Sequence, residues 1–229
     1  MAESDVKPLR LSLPGGGHVS ALLLEPSNAS ACYVMAHGAG AGMGHPFLTS
    51  LALELHSRAI ATLRFQFPYM EVKAKRPDPP RVAQATVRSA VAEAFARLKH
   101  LPLFAGGKSF GGRMTSQAQA AAALDGVCGL IFLGFPLHPA NKPSTERGSH
   151  LSDVHIPMLF IQGERDALAE LGLLKPLVND LGSQAILHVL PHADHSFRVP
   201  ARSGARNSDV PREIADLIAA WVSNLLGAE

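Results

Sequence analysis

The chain is short of cysteine, of charge and of long apolar runs. Its two cysteines, Cys32 and Cys128, are too few for a disulfide scaffold or a four-cysteine zinc site. Charged residues make up 17% and hydrophobic residues 47%, which excludes a disordered chain and a coiled coil. Mean hydropathy is high at +0.12, yet no uninterrupted apolar run reaches the ~18 residues of a membrane span. The best candidate, 126–137, has twelve residues and is interrupted by glycine and proline. The opening Met1-Ala2-Glu3-Ser4-Asp5 lacks the apolar stretch of a secretory leader. Internal repeats and low-complexity tracts are missing as well. The expectation is a soluble, cytoplasmic protein with no membrane partner, a monomer or homodimer, forming one domain over residues 1–229.

Net charge is only +2, but residues 64–113 hold ten Lys/Arg against Glu71, Asp78 and Glu93. That segment carries +7 and leaves −5 for the remainder. Such asymmetry marks either an anionic-partner surface or a solvated loop and outer helix face. The second reading is taken, so no nucleic-acid partner is expected.

What is present is an alternation of short apolar runs with helical stripes. The runs 9–13, 19–24, 31–36, 60–67, 101–105, 127–132, 158–162 and 186–190 read as strands, several apolar at consecutive positions as parallel strands covered on both faces are. Leu48, Leu51, Ala52 and Leu55 share one helical face, as do Val87, Val91, Ala94, Phe95 and Leu98. Leu174, Leu177, Val178 and Leu181 form a third stripe closed by Gly182, and Ile214, Leu217, Ile218, Trp221, Val222 and Leu225 a fourth. The Pro-rich stretch 73–80 reads as a loop before a helix. The alternation predicts an α/β fold with a mostly parallel, doubly wound sheet and helices on both faces.

The strongest chemical signal is Gly107-Lys108-Ser109-Phe110-Gly111, between a predicted strand and a helix-compatible stretch from 113. This is the context of a nucleophile elbow, which lifts a serine above the sheet at a helix N-terminus. A serine needs a base, and His195 follows the last predicted strand. Asp166 follows the strand before it and is the candidate orienting acid, with Asp194 and Asp153 as weaker rivals. All three positions lie on loops at strand ends, where open α/β sheets place their sites. A small-residue loop, His37-Gly38-Ala39-Gly40-Ala41-Gly42, follows the strand 31–36. With the Phe110 N–H it offers an oxyanion hole, the second donor being Ala39 or, as the alternative, Gly40. The rival reading of this loop, a phosphate cradle, lacks the Gly-Lys-Ser/Thr ending that a P-loop needs.

Taken together, these residues resemble the α/β-hydrolase-fold serine hydrolases, and among them a small KANL/Tex-type hydrolase-like branch. The resemblance is carried by residues 37–40, His45-Pro46-Phe47, Leu63-Arg64-Phe65, Phe67-Pro68-Tyr69-Met70, residues 106–113, Phe135-Pro136-Leu137-His138-Pro139 and Asp194-His195-Ser196-Phe197. It implies a serine-hydrolase site at Ser109, Asp166 and His195, and no particular substrate. It also implies the strand order 1-2-4-3-5-6-7-8, which sets Cys32 and Cys128 two strands apart, about 9–10 Å, too far for a disulfide. Both are therefore expected to be core thiols. The segment 137–155, nineteen residues, is too short for an independent cap. The expected cleft is open and walled by Met43, Tyr69, Met70, Phe110 and Leu137, where relatives often place methionine at the position of Phe110.

The remaining polar residues receive plainer roles. His37 is expected to hold the oxyanion loop through backbone hydrogen bonds. His188, His192 and His195 do not have a helical ligand spacing, so no metal is expected, and no cofactor. Lys108 and Arg113 flank the elbow and are read as solvated surface, with contact to an anionic substrate as the alternative. The expected function is a serine hydrolase acting on small soluble acyl esters. A thioesterase or small-peptide hydrolase with the same triad, or a non-catalytic scaffold of the same fold, are the alternatives.

Overall fold

The computed structural model describes residues 5–204 and 206–227; Met1-Ala2-Glu3-Ser4, part of the stretch read for a leader, lies outside them. Eight strands form one sheet in the order β1-β2-β4-β3-β5-β6-β7-β8. They are β1 Val6–Ser12, β2 His18–Leu24, β3 Ala31–Ala36, β4 Ile60–Phe65, β5 Leu103–Lys108, β6 Val127–Leu133, β7 Met158–Gly163 and β8 Ala185–Leu190. The pairs β1–β2 and β2–β4 are antiparallel, and every pairing from β4 to β8 is parallel. This is the α/β-hydrolase fold that the sequence suggested, with strand ends matching or shifted by up to three residues.

Among the described residues six α-helices accompany the sheet: α1 Pro46–His56, α2 Pro68–Glu71, α3 Pro80–Arg97, α4 Phe110–Ala121, α5 Leu171–Asp180 and α6 Val210–Leu226. The period of two in each strand divides the apolar residues between two cores. Cys32, Val34 and Ala36 of β3 join Ala83, Val87 and Val91 of α3, Met114 and Ala118 of α4, and Leu174 and Val178 of α5. Tyr33 and Met35 face the other way, with Leu48, Leu51 and Leu55 of α1 and Ile214, Ile218 and Trp221 of α6. A strand whose two faces are both claimed in this way reads as an uninterrupted apolar run. Trp221 also meets Phe104 edge to face at 5.6 Å, an arrangement worth about 1 kcal/mol beyond its burial. Between β6 and β7 there is one 3-10 helix, Glu146–Asp153, and no separate cap domain among the described residues.

Two expectations are corrected. Cys128 is an exposed thiol at an irregularity of β6, where the register with β5 passes from Val127 to Gly129 and leaves Cys128 without a partner on β5, whereas Cys32 is buried. The basic segment is not wholly a solvated face. Lys73, Lys75, Arg76, Arg81, Arg97 and Lys99 are exposed as expected. Arg64, however, is buried on β4, donating to the Met43 carbonyl at 3.2 Å and the Thr49 hydroxyl at 2.8 Å. Arg88 reaches from α3 to the last carbonyls of α4, bonding those of Ala118, Ala122 and Ala123. A cation placed on orphan C-terminal carbonyls is a helix cap, so these arginines hold elements together.

Candidate active site

The elbow begins with Gly106 and Gly107, small enough for β5 to lie against both β3 and β6. Ser109 then adopts φ +50°, ψ −114°, a strained region for a residue with a side chain. Its N–H donates to the Leu133 carbonyl at 3.1 Å, and the chain turns at once into α4. A Cβ on Gly111 would sit 2.6 Å from the His37 carbonyl oxygen, so glycine at this place lets the first turn of α4 approach the exit of β3.

Three loops meet at Ser109. His195 Nε2 lies 2.8 Å from the Ser109 hydroxyl, and His195 Nδ1 lies 2.7 Å from Asp166 Oδ2. The Asp166 side chain is fully buried, while that of His195 keeps 23% of its surface in solvent. Burying a carboxylate demands donors. Asp166 has three: His195 Nδ1–H, the Gln162 side-chain amide, and the Leu168 N–H at 2.8 Å on Oδ1. This set fixes the imidazole with its proton on Nδ1 and its lone pair at Nε2, facing the hydroxyl. Asp194 serves another purpose, accepting the N–H groups of Ser196 and Arg198 at 2.8 and 2.9 Å and so shaping the loop that carries His195. His192 faces Glu164, with Nδ1 3.5 Å from its carboxylate.

Of the expected oxyanion donors, the structure separates Ala39 and Phe110 from Gly40. The Gly40 N–H donates to the Tyr69 hydroxyl at 3.0 Å and is therefore already satisfied, which corrects its assignment to the hole. Ala39 and Phe110 have no acceptor for their N–H groups among the described residues, Phe110 because it opens α4 and has no carbonyl one turn back. His37 behaves as expected: its Nδ1 pairs with the Gly38 carbonyl at 2.8 Å, and its Nε2 accepts the Phe67 N–H at 3.1 Å. This tautomer is neutral, and burial lowers the pKa of His37 to about 4 against the pull of its Gly38 bond.

The cavity beside Ser109 has a volume of about 390 Å³ and differs from the expected cleft. Its walls are Phe47 and Leu48 of α1, Leu168 and Ser196, with the loop 38–41 as its roof. The five residues expected there are absent from its lining. Tyr69 is buried and holds Gly40, Leu137 is buried in the core, and Met70 packs against that core from the side of Gly42. Met43 donates its N–H to Gln66. The Phe110 ring also turns away, meeting Phe67 edge to face at 5.3 Å. These positions follow from folding that brings α1 and the loop after β7 to the mouth of the site, which local sequence does not announce.

Lys108 is a second correction. It lines the cavity, donates to the His195 backbone carbonyl and lies 4.8 Å from the centre of the Phe197 ring, which stacks on Phe47. Burial lowers its pKa to about 8, opposed by the charges of Asp166 and Asp194. Gln162 is the clearest functional candidate that the sequence reading passed over. It looked like one more strand residue, and only its buried position between the Phe135 N–H and Asp166 reveals its work.

Two histidines, His37 buried and His150 half-buried, predict acid lability. His37 and His150 both have folded pKa values of about 4, His150 through burial and the charge of Arg113 against Asp153. In the unfolded chain they titrate near 6.5. The unfolded state therefore binds more protons between pH 6.5 and 4, and stability falls as pH falls through that window. Urea midpoints measured across it are expected to drop for the parent protein. The drop should be shallower by about one proton's worth of slope in His150→Gln.

The pattern of the family described as "Alpha/beta hydrolase domain" matches residues 29–223. A dienelactone hydrolase from Anabaena variabilis superposes with a TM-score of 0.77 at 20% identity, covering 96% of this chain and 98% of that one. An α/β serine hydrolase without lid from Xanthomonas campestris gives 0.73 at 22% identity, over 96% and 97% of the two chains. The esterase domain of a Rhodothermus marinus protein gives 0.73 at 16% identity, over 96% and 98%. At these identities the likeness is one of fold.

Proposed function

The chain belongs to the alpha/beta hydrolase domain family, and from that premise we propose that it is a serine hydrolase of small carboxylic esters, working through Ser109, His195 and Asp166. The observation that carries this reading is the unbroken bond chain Ser109 Oγ–His195–Asp166, with steps of 2.8 and 2.7 Å. In the first half-reaction His195 Nε2 takes the hydroxyl proton as Ser109 Oγ attacks the ester carbonyl. The carbonyl oxygen becomes an oxyanion and is received by the N–H groups of Ala39 and Phe110, with the positive end of α4 behind the latter. Asp166 stabilises the imidazolium. The imidazolium then returns the proton to the departing alkoxide, and an acyl-enzyme remains on Ser109. Water, deprotonated by His195, releases the acid in the second half-reaction. The cavity of about 390 Å³ suits a modest acyl group.

An alkyl fluorophosphonate tests the proposal. Ser109 is expected to label covalently, and labelling should vanish in Ser109→Ala and fall sharply in His195→Ala. A folded protein that never labels would instead favour the scaffold reading. A panel of short acyl esters, thioesters and aminoacyl amides then ranks the bonds. The expected order puts esters first, and a higher kcat/KM on thioesters or amides would replace the ester assignment.

A further inference from the structure

A second cavity, of about 670 Å³, is lined by Arg113, Gln117, Lys142 and Arg147, with Glu146 and Ser144 also on its wall. It shares no residue with the triad cavity but lies one layer from it. Arg113 stands one helical turn beyond Ser109, its N–H bonded to the Ser109 carbonyl at 3.1 Å. His138 borders the second cavity and donates its N–H at 2.9 Å to the carbonyl of Leu168, a wall residue of the first.

The cavity sets three basic side chains, Arg113, Lys142 and Arg147, against the single carboxylate of Glu146. Among the described residues no ion pair involves Arg113, Lys142 or Arg147. Burial first, and the charge of Arg147 second, disfavour the protonated form of the Arg113 guanidinium. Two arginines that line one cavity without an ion pair lack a bridging acceptor.

The geometry points to an oxyanion-binding site: this cavity takes a phosphate or carboxylate group of a small molecule between Arg113 and Arg147, with Lys142 at the rim. Guanidinium forks match the paired oxygens of these anions and bind them bidentately. Gln117 adds a neutral donor, while Glu146, exposed on the same wall, opposes an anion in part. The volume suits a small ligand. The anion is either the acidic end of the substrate or a separate effector, and both present the same oxygens. The site itself does not depend on the acyl-enzyme reading.

Calorimetric titration at low ionic strength, with inorganic phosphate, pyrophosphate and succinate, tests the site. Pyrophosphate is expected to bind the parent protein and Ser109→Ala alike, which separates this site from the triad. Affinity should fall roughly tenfold or more in Arg113→Gln and in Arg147→Gln, and less in Lys142→Gln, whose position is an exposed loop. The source of the anion is read from kcat/KM on a hemisuccinate ester and a butyrate ester of one alcohol. A preference for the hemisuccinate that Arg113→Gln abolishes identifies the acidic end of the substrate. Equal rates on both esters, with pyrophosphate bound, identify an effector. The proposal is overturned if none of the three anions binds at millimolar concentration, or if their binding is unchanged in all three variants, leaving a solvated pair of arginines only.

Discussion

Ser109→Ala is expected to lower turnover of a short ester by roughly 10⁴–10⁶-fold, the range seen when a triad nucleophile is removed. Stability should change little. The Ser109 hydroxyl bonds only His195, and alanine tolerates φ +50° no worse than serine does. His195→Ala should cost about as much, and the double variant no more than either, because nucleophile and base act as one unit. Asp166→Asn is the more discriminating change. Both oxygens of Asp166 already face donors, Gln162 and His195 on one side and the Leu168 N–H on the other. An amide nitrogen placed on either side meets a donor, so the ring loses its tautomer or the loop after β7 moves. The loss expected is about 10⁴-fold, read as kcat/KM with the fold checked by circular dichroism. Ester hydrolysis at the parental rate by Ser109→Ala would remove the assignment.

The parts of this molecule that sequence made legible are those decided locally. β3 was read to its correct ends because both of its faces are buried, and the turn clusters around it are strong. Ser109, Asp166 and His195 were legible because each stands just past a strand and the elbow has its own glycine signature. β5 shows where locality ends. It was expected at 101–105, and it runs Leu103–Lys108. Gly106, Gly107 and Lys108 have little intrinsic strand preference; pairing with β3 on one side and β6 on the other holds them extended. Likewise α4 was expected from 113 but starts at Phe110, since two glycines disguise a helix start that the elbow imposes. The pocket failed for a different reason. Phe47, Leu48 and Leu168 come from segments more than a hundred residues apart, and the apolar character of each fits core packing equally well. Arg64 and Lys108 were misjudged because charge alone places a residue outside, and only their partners keep them in.

The close approach of β5 to β3 carries the largest stability prediction. Gly107 pairs with Ala36 on one side and Phe132 on the other. A Cβ at Gly107 would lie 2.1 Å from the Ala36 carbonyl oxygen and 2.7 Å from its nitrogen, both backbone atoms that have no rotamer to yield. The φ of +139° adds strain for any side chain. Relief requires β3 to separate from β5 at the point where one strand feeds the oxyanion loop and the other the elbow. Gly107→Ala is therefore expected to destabilise by more than about 4 kcal/mol, the range reserved for such named defects. Against a total stability of about 5–15 kcal/mol, much of the protein should be unfolded or insoluble when expressed. Gly172→Ala supplies the contrast. Gly172 lies in α5, has no atom within 4 Å of a built Cβ, and needs no positive φ. There alanine is expected to raise stability by about 0.5–1 kcal/mol. Urea midpoints of the two variants beside the parent decide the matter, and a parental midpoint for Gly107→Ala would mean that the two strands do not approach as closely as the elbow requires.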